Sequence, residues 1–348
     1  MIQAAEAGRT VAASEGDAEG PVVAALRRLG LLGAGETPPF SRLTGGVSSD
    51  IWRVDLARGP VCVKRALSRL RVAAEWRAPV ERNAYEAEWM RRAAAVVPDA
   101  VPELIGQDEQ AGILVMAYLA PERHRLWKAE LRAGRAELGV ARAVGERLVR
   151  IHASTADDPE IARAFPTGRI FYDIRLEPYL VATARAHPDR AGALHALVER
   201  TAATRRCMVH GDVSPKNILI GPKGAVLVDA ECAWHGDPAF DIAFCLNHLL
   251  LKCLWTPRAA AGFLGCFDAL AKAYLAGVDW EPQASLEVRS ARLLPGLLLG
   301  RVDGKSPVEY LTEERDKDRV RKVARALLAG PPSRLAEVRA AWAAELAP

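Results

Sequence analysis

Charge of one sign, paired cysteines and long apolar runs are what this sequence lacks. Lys and Arg total 47 against 43 Asp and Glu, a formal net charge of +4. The basic residues are scattered among glutamates, which reads as solvated helix faces and excludes a nucleic-acid stripe. Six cysteines occur, Cys62, Cys207, Cys232, Cys245, Cys253 and Cys266, with no CxxC pair among them. That excludes a disulfide framework or a zinc site and predicts reduced core thiols. The longest apolar stretches, near Leu249–Leu254 and Leu293–Leu299, are too short to cross a bilayer. Met1–Gly20 has no basic start followed by an apolar run, so no secretory signal is read there. The expectation is a cytoplasmic protein with neither nucleic acid nor membrane as partner.

What is present suffices for a large core. Of 348 residues, 50% are hydrophobic and 26% charged, a length that suits two lobes. Residues 1–20, rich in Ala, Gly, Glu and Ser, read as a disordered tail. A short helix is expected over Gly20–Leu32, then β segments at Phe40–Thr44, Asp50–Leu56 and Val61–Arg65. A helix follows over Pro79–Val97, bounded by prolines, then strands at Pro102–Gln107 and Gly112–Leu119. Residues 21–119 thus form a first lobe. Residues 120–348 read as a mainly helical second lobe, with apolar residues at Leu138, Ala141, Val144, Leu148 and Ile151 marking one buried stripe. His152, on that stripe, reads as a core histidine. A β island interrupts at Met208–His210, Ile218–Ile220 and Val226–Asp229, its last two strands joined by the turn Gly221-Pro222-Lys223-Gly224.

The strongest signal is His210-Gly211-Asp212-Val213-Ser214-Pro215-Lys216-Asn217, followed by Val228-Asp229-Ala230-Glu231. Phosphoryl transfer needs metal ions on the phosphates, a cation beside them and a carboxylate that orients the acceptor hydroxyl. An H-x-D-x-x-x-x-N loop supplies the base and a metal-binding amide, and a hairpin returns a second Asp to the same place. On this reading Asp212 is the base, in contact with the acceptor, and Asn217 and Asp229 hold Mg²⁺.

The first lobe supplies the nucleotide half. Thr44–Asp50 lies between two strands, and Gly45, Gly46, Ser48 and Ser49 suit close approach to phosphates. Lys64 on the third strand stands where kinases place the lysine that meets the α/β-phosphates. Its helical partner is Glu86 rather than Glu88: Met90, four residues after Glu86, can pack inward, whereas Arg92 follows Glu88. Met116 and Tyr118 fall where a hinge would present backbone groups to adenine.

These motifs, with Asp237-Pro238-Ala239-Phe240-Asp241-Ile242-Ala243, resemble the aminoglycoside phosphotransferase and choline kinase superfamily from about Ser41 to Leu254. The resemblance implies a protein-kinase-like α+β fold: a small antiparallel β lobe with one helix, and a larger, mainly helical lobe. It implies an ATP-dependent, Mg²⁺-dependent phosphotransferase acting on an alcohol group. It also implies that Glu231 assists Asp229 at the metal and that His210 and Asp241 brace the catalytic loop. A narrower resemblance is to the methylthioribose kinase family, through Lys64–Leu67, Arg71-Val72, Glu75-Trp76, Arg82…Tyr85-Glu86 and Phe240–Phe244. Where that family carries paired arginines against its substrate, only Arg301 stands here, so Arg301 is the candidate acceptor contact.

A protein kinase would need an activation segment ending in A-P-E, and none follows Asp229. An inactive nucleotide-binding module would have lost Lys64, Asp212, Asn217 or Asp229, and all four are present. A polycationic aminoglycoside would want an acidic cleft, yet the chain after Asp241 is poor in Asp and Glu until Glu309–Glu314. The expected acceptor is therefore a neutral or less charged hydroxylated metabolite, sugar-like or an amino alcohol, with an antibiotic as the alternative.

Overall fold

The computed structural model describes residues 15–43, 49–67 and 79–347. The calls on Gly45, Gly46, Ser48, Arg71-Val72 and Glu75-Trp76 lie outside them. A five-stranded antiparallel sheet comes first: β1 (Phe40–Arg42), β2 (Ser49–Leu56), β3 (Gly59–Ala66), β4 (Leu104–Asp108) and β5 (Ile113–Ala117), in the order β1-β2-β3-β5-β4. Side chains alternate across a strand, so the apolar runs on β3 and β5 imply burial on both faces. One face carries Trp52, Val54, Val61, Val63, Ile113 and Val115 and packs on Val22, Ala25 and Leu26. Those last three belong to the helix Glu15–Arg28. The other face carries Cys62, Leu114 and Met116 and joins Ala87, Trp89, Met90 and Ala93 of the helix Arg82–Val96. Lys64, two residues after Cys62, shares this second face.

One expectation is corrected here. The first helix starts at Glu15, inside the stretch read as a disordered tail, because its apolar side has a sheet to pack on. The sheet therefore has a helix on each face.

The second lobe is mainly helical. Its centre is the helix Ala239–Trp255, buried at every position from Ala239 to Leu254, as a helix apolar on most of its surface should be. The helices Ala260–Ala276 and Gln283–Asp303 pack on it, and Leu138–Thr155 packs on Ala260–Ala276. One stretch, Pro257–Ala276, is long and apolar enough to cross a membrane by composition. Its Phe263, Phe267, Leu270 and Tyr274 are buried within the lobe, so it serves as a core helix.

The β island has five short strands, where the sequence suggested three: β6 (Arg125–Leu126), β7 (Cys207–Val209), β8 (Ile218–Gly221), β9 (Gly224–Leu227) and β10 (Trp234–Gly236). β6 and β10 are too short to carry a periodic signal. They form through pairing with β8 and β7.

Candidate active site

The octapeptide loop leaves β7 and enters β8. Gly211 is required at its turn: its φ is +78°, and a Cβ there would stand 2.6 Å from the Cys232 carbonyl oxygen. Asp241, in the first turn of the helix Ala239–Trp255, accepts the backbone N–H of His210 (2.7 Å) and of Gly211 (2.8 Å). His152 Nε2 lies 3.3 Å from the same carboxylate, and its Nδ1 is 2.7 Å from the Tyr274 hydroxyl. The core histidine of the sequence reading is thus bonded at both ring nitrogens.

His210 is fully buried, and burial holds its imidazole below the usual range. One neutral tautomer satisfies both neighbours. Nε2–H donates to the Val228 carbonyl (3.2 Å), and Nδ1 accepts from the Asp212 N–H (3.2 Å). Trp89 stands edge-on to the ring at 4.8 Å. His210 is therefore a fixed strut between loop and hairpin.

Replacing Asp241 by Ala should expose the worth of this brace. Two buried N–H groups would lose a charged acceptor, at a cost of ~3–5 kcal/mol of unfolding free energy. Chemical denaturation measures it. Asp241→Asn, which keeps one acceptor oxygen, should lose less, and an alanine variant as stable as wild type would rule the brace out.

Asp212 Oδ2 is crowded with donors. Asn217 Nδ2, Arg175 Nη2 and Lys216 Nζ all lie 2.9 Å from it. Oδ1 is buried and has no hydrogen-bond partner among the described residues. Burial pushes the Asp212 carboxyl up, but Arg175 and Lys216 outweigh it and hold it below the usual carboxylate range. The group is ionised at neutral pH, with one oxygen free to accept.

Asn217 and Asp229 meet at the open end of the β8–β9 hairpin, where Val228 N–H donates to the Asn217 carbonyl (3.0 Å). Asp229 has φ +69°, a left-handed conformation rarely adopted by non-glycine residues. Its Oδ1 accepts from Lys64 Nζ, which also donates to Glu86 Oε2 at 2.6 Å. Burial lowers the Lys64 pKa, yet Asp229 and Glu86 more than reverse this, so the ammonium persists. Glu88 pairs instead with Arg92 at 2.6 Å on the helix surface. Glu231 is 4.0 Å from Lys64 and is held by Arg82 Nε at 3.1 Å.

The remaining sequence candidates fall at the margins. Ser49 is buried at the start of β2, its Oγ without a partner among the described residues. Met116 is a sheet residue opposite Cys62 and Leu104. Tyr118 follows β5, with the Arg53 guanidinium 5.0 Å from its ring. A separate cleft of about 620 Å³ is lined by Met90, Leu104, Ala117, His124 and Val226 and includes none of the residues named above as phosphate-handling.

Arg301 does not project freely from a polar turn. It is 8% exposed, and its Nη1 donates to the Tyr179 hydroxyl (3.2 Å) and to the Ser306 hydroxyl (3.0 Å) and carbonyl oxygens. Gly300 permits this close approach: a Cβ there would stand 2.3 Å from the Tyr179 carbonyl oxygen. Its sequence neighbours turn away, Asp303 to Arg321 and His187, Lys305 to Glu177.

Sequence reasoning missed Arg175. It sits in the wide-turned helix Tyr172–Val181, which contains Pro178; a proline inside a helix removes a donor and loosens the turn. Arg175 Nε donates to the Gly211 carbonyl at 2.6 Å, so this one side chain holds both the loop backbone and Asp212. The available signal was slight: an arginine between Ile174 and Leu176, three residues before Pro178.

A β lobe whose lysine and helical glutamate face a loop Asp and a hairpin Asp defines the kinase-like class of fold. The model of the phosphotransferase enzyme family (APH) matches residues 39–264, and the chain belongs to that family. Among curated proteins, methylthioribose kinase of Klebsiella pneumoniae is 26% identical over 60% of this chain and 57% of its own length. The chain thus spans less than two thirds of the length of such relatives. Among solved structures, a choline/ethanolamine kinase family protein from Mesorhizobium loti is similar at a TM-score of 0.51 and 17% identity, covering 92% of this chain and 99% of its own. Choline kinase from Cryptosporidium parvum gives 0.53 at 9% identity, covering 90% and 97%. At these identities the likeness is one of fold.

Proposed function

We propose that this protein transfers the γ-phosphoryl group of ATP to a hydroxyl of a small molecule. The observation that carries the reading is the bridge from Lys64 to Glu86 and Asp229. It joins β3, the helix Arg82–Val96 and the end of the hairpin that begins at Asn217, beside Asp212. Lys64 is the phosphate cation, positioned by Glu86. Asp212 Oδ1 accepts the acceptor hydroxyl's hydrogen bond and takes its proton, while Oδ2 stays fixed by three donors. Arg175 and Lys216 keep that carboxylate charged and aimed.

The donor set fits Mg²⁺. Asn217 spends its amide N–H on Asp212, which leaves a buried, unpartnered Oδ1 among the described residues; Asp229 adds a carboxylate, with Glu231 nearby. Such oxygen ligands suit a hard cation that keeps several waters. Asn217 and Asp229 would hold such a cation, which would supply positive charge against the triphosphate. Ser49, Met116 and Tyr118 remain the candidates for phosphate and adenine contact, and residues 21–119 and 120–348 the candidate lobes.

The test is incubation with ATP, Mg²⁺ and a panel of sugars, amino alcohols and aminoglycosides. ADP release matched by a product one phosphoryl group heavier supports the reading; no acceptor-dependent turnover across the panel counts against it. Arg301 is the acceptor-side residue. Arg301→Ala should raise the acceptor KM about 10–100-fold, as for losing one or two charged hydrogen bonds, and leave the nucleotide KM nearly unchanged. Because Arg301 also anchors Ser306, the melting temperature should fall too. A shift in both Michaelis constants would make it purely structural.

A further inference from the structure

Eleven residues beyond the brace Asp241, the central helix carries a buried lysine that no carboxylate answers. Lys252 is 1% exposed, and none of the described acidic residues lies within ion-pair distance of it. Its Nζ lies 4.4 Å from the Trp255 ring centroid and 4.3 Å from that of Tyr310. One turn earlier, His248 is 5% exposed with an unpartnered Nε2, and Arg301 Nε and the Tyr310 hydroxyl are likewise buried without partners among the described residues.

These groups adjoin the base through one layer of rings. Arg175 bonds Asp212 and lies 5.8 Å from the Tyr179 ring, and Tyr179 bonds Arg301. Phe244 meets Tyr179 at 5.5 Å and His248 at 5.2 Å. Helix rise places His248 about 10 Å and Lys252 about 16 Å along the axis from Asp241.

We propose that this cluster receives an anionic group, a carboxylate or phosphate, on the acceptor, several bonds from the hydroxyl that meets Asp212. The inference rests on the kinase reading above and revises the expectation of a neutral acceptor. A buried cation without a counter-ion is costly, and a bound anion removes the cost. The charged groups with the largest effect on Lys252 are mostly of its own sign: Lys128, Arg301 and Arg132 oppose it, whereas Glu309, itself paired with Lys128, favours its charge. Burial first, then these cations, lower Lys252 to about 7. His248 is held down by burial and by Arg301, Lys252, Lys216 and Lys128. A polycationic acceptor would meet repulsion here, whereas an anion would draw a proton onto Lys252.

Four hexoses of one ring size separate the possibilities: glucose, glucosamine, glucuronate and glucose 6-phosphate, titrated calorimetrically and then assayed with ATP. At least one anion should bind ten-fold or more tighter than glucose, glucosamine being weakest; which anion wins tells carboxylate from phosphate. Affinity for the anion should be full below pH 7 and fall as pH rises through 7, because the empty site then holds a neutral amine that must be reprotonated. Lys252→Met should remove the preference and the pH dependence. If that variant does not fold, the wild-type pH profile and Lys252→Arg, which should keep the preference, decide. Anions binding no tighter than glucose, or a preference that survives in Lys252→Met, overturns the inference. So does a loss confined to ATP affinity. Phosphorylation of glucose without anion preference would leave the kinase reading standing alone; Lys252-dependent anion binding with no turnover of any hexose would leave this site standing without it.

Discussion

Asp212→Asn should lower kcat by about 10²–10⁴-fold, the worth of a positioned acid–base group, while ATP affinity changes little. The geometry explains why so small a change does so much. Oδ2 accepts from Asn217, Arg175 and Lys216, so in the variant the amide oxygen must take that place. The amide NH₂ is then forced into the position of Oδ1 and offers a donor where the acceptor hydroxyl needs an acceptor. The hydroxyl loses both its orientation and the sink for its proton. Steady-state kinetics with each substrate varied, alongside nucleotide titration, measures this. Turnover within a few-fold of wild type would remove Asp212 from the chemistry.

The depressed pKa of Asp212 also limits what kind of base it is. Arg175 and Lys216 hold it ionised, which fixes its charge but weakens its pull on a proton. On the proposed reading its larger part would be orientation, with proton transfer coming late. The same cations keep the charge of Asp212 partly neutralised beside Asp229 and any bound triphosphate.

What was legible in the sequence was whatever a short window contains. The loop from His210 to Asn217, the hairpin to Asp229 and the lysine strand are each local patterns whose function fixes spacing. Glu86 over Glu88 was decided by helical periodicity and by the inward Met90. Residues that act across long sequence distances were not legible: Arg175 reaches Gly211 across 36 positions, and Arg82 reaches Glu231 across 149. Nothing in either neighbourhood says which way such a side chain turns. Arg301 shows the same limit. Its type and place were readable, but its burial depends on how closely Gly300 lets two helices approach. Lys252 drew no reading from the sequence, and its burial is visible only once Trp255 and Tyr310 are packed around it.

Asp229→Asn should cost about 10³-fold in kcat, or more, since a metal's stabilisation of transition-state charge is worth several kcal/mol. The variant keeps the shape of the site and an oxygen but loses the negative charge. In the structure that charge serves Lys64, whose Nζ bonds both Asp229 and Glu86. Burial pushes the Asp229 carboxyl up, yet Lys64 and Lys216 hold it well below the usual range, so it is a carboxylate at any working pH. A cation bound with the nucleotide would compete with Lys64 for it, and Glu86 would remain as the partner of Lys64. Asparagine offers the metal a neutral ligand, so the Mg²⁺ concentration needed for half-maximal rate should rise as well. Chelation of wild-type protein should abolish turnover, and Mg²⁺ or Mn²⁺ should restore it. Glu231→Gln should do much less, because Glu231 is engaged by Arg82 at 3.1 Å. The decisive measurement is the metal dependence of kcat for the three proteins. A wild-type rate indifferent to chelator, or Glu231→Gln more damaging than Asp229→Asn, would move the metal away from the end of the hairpin.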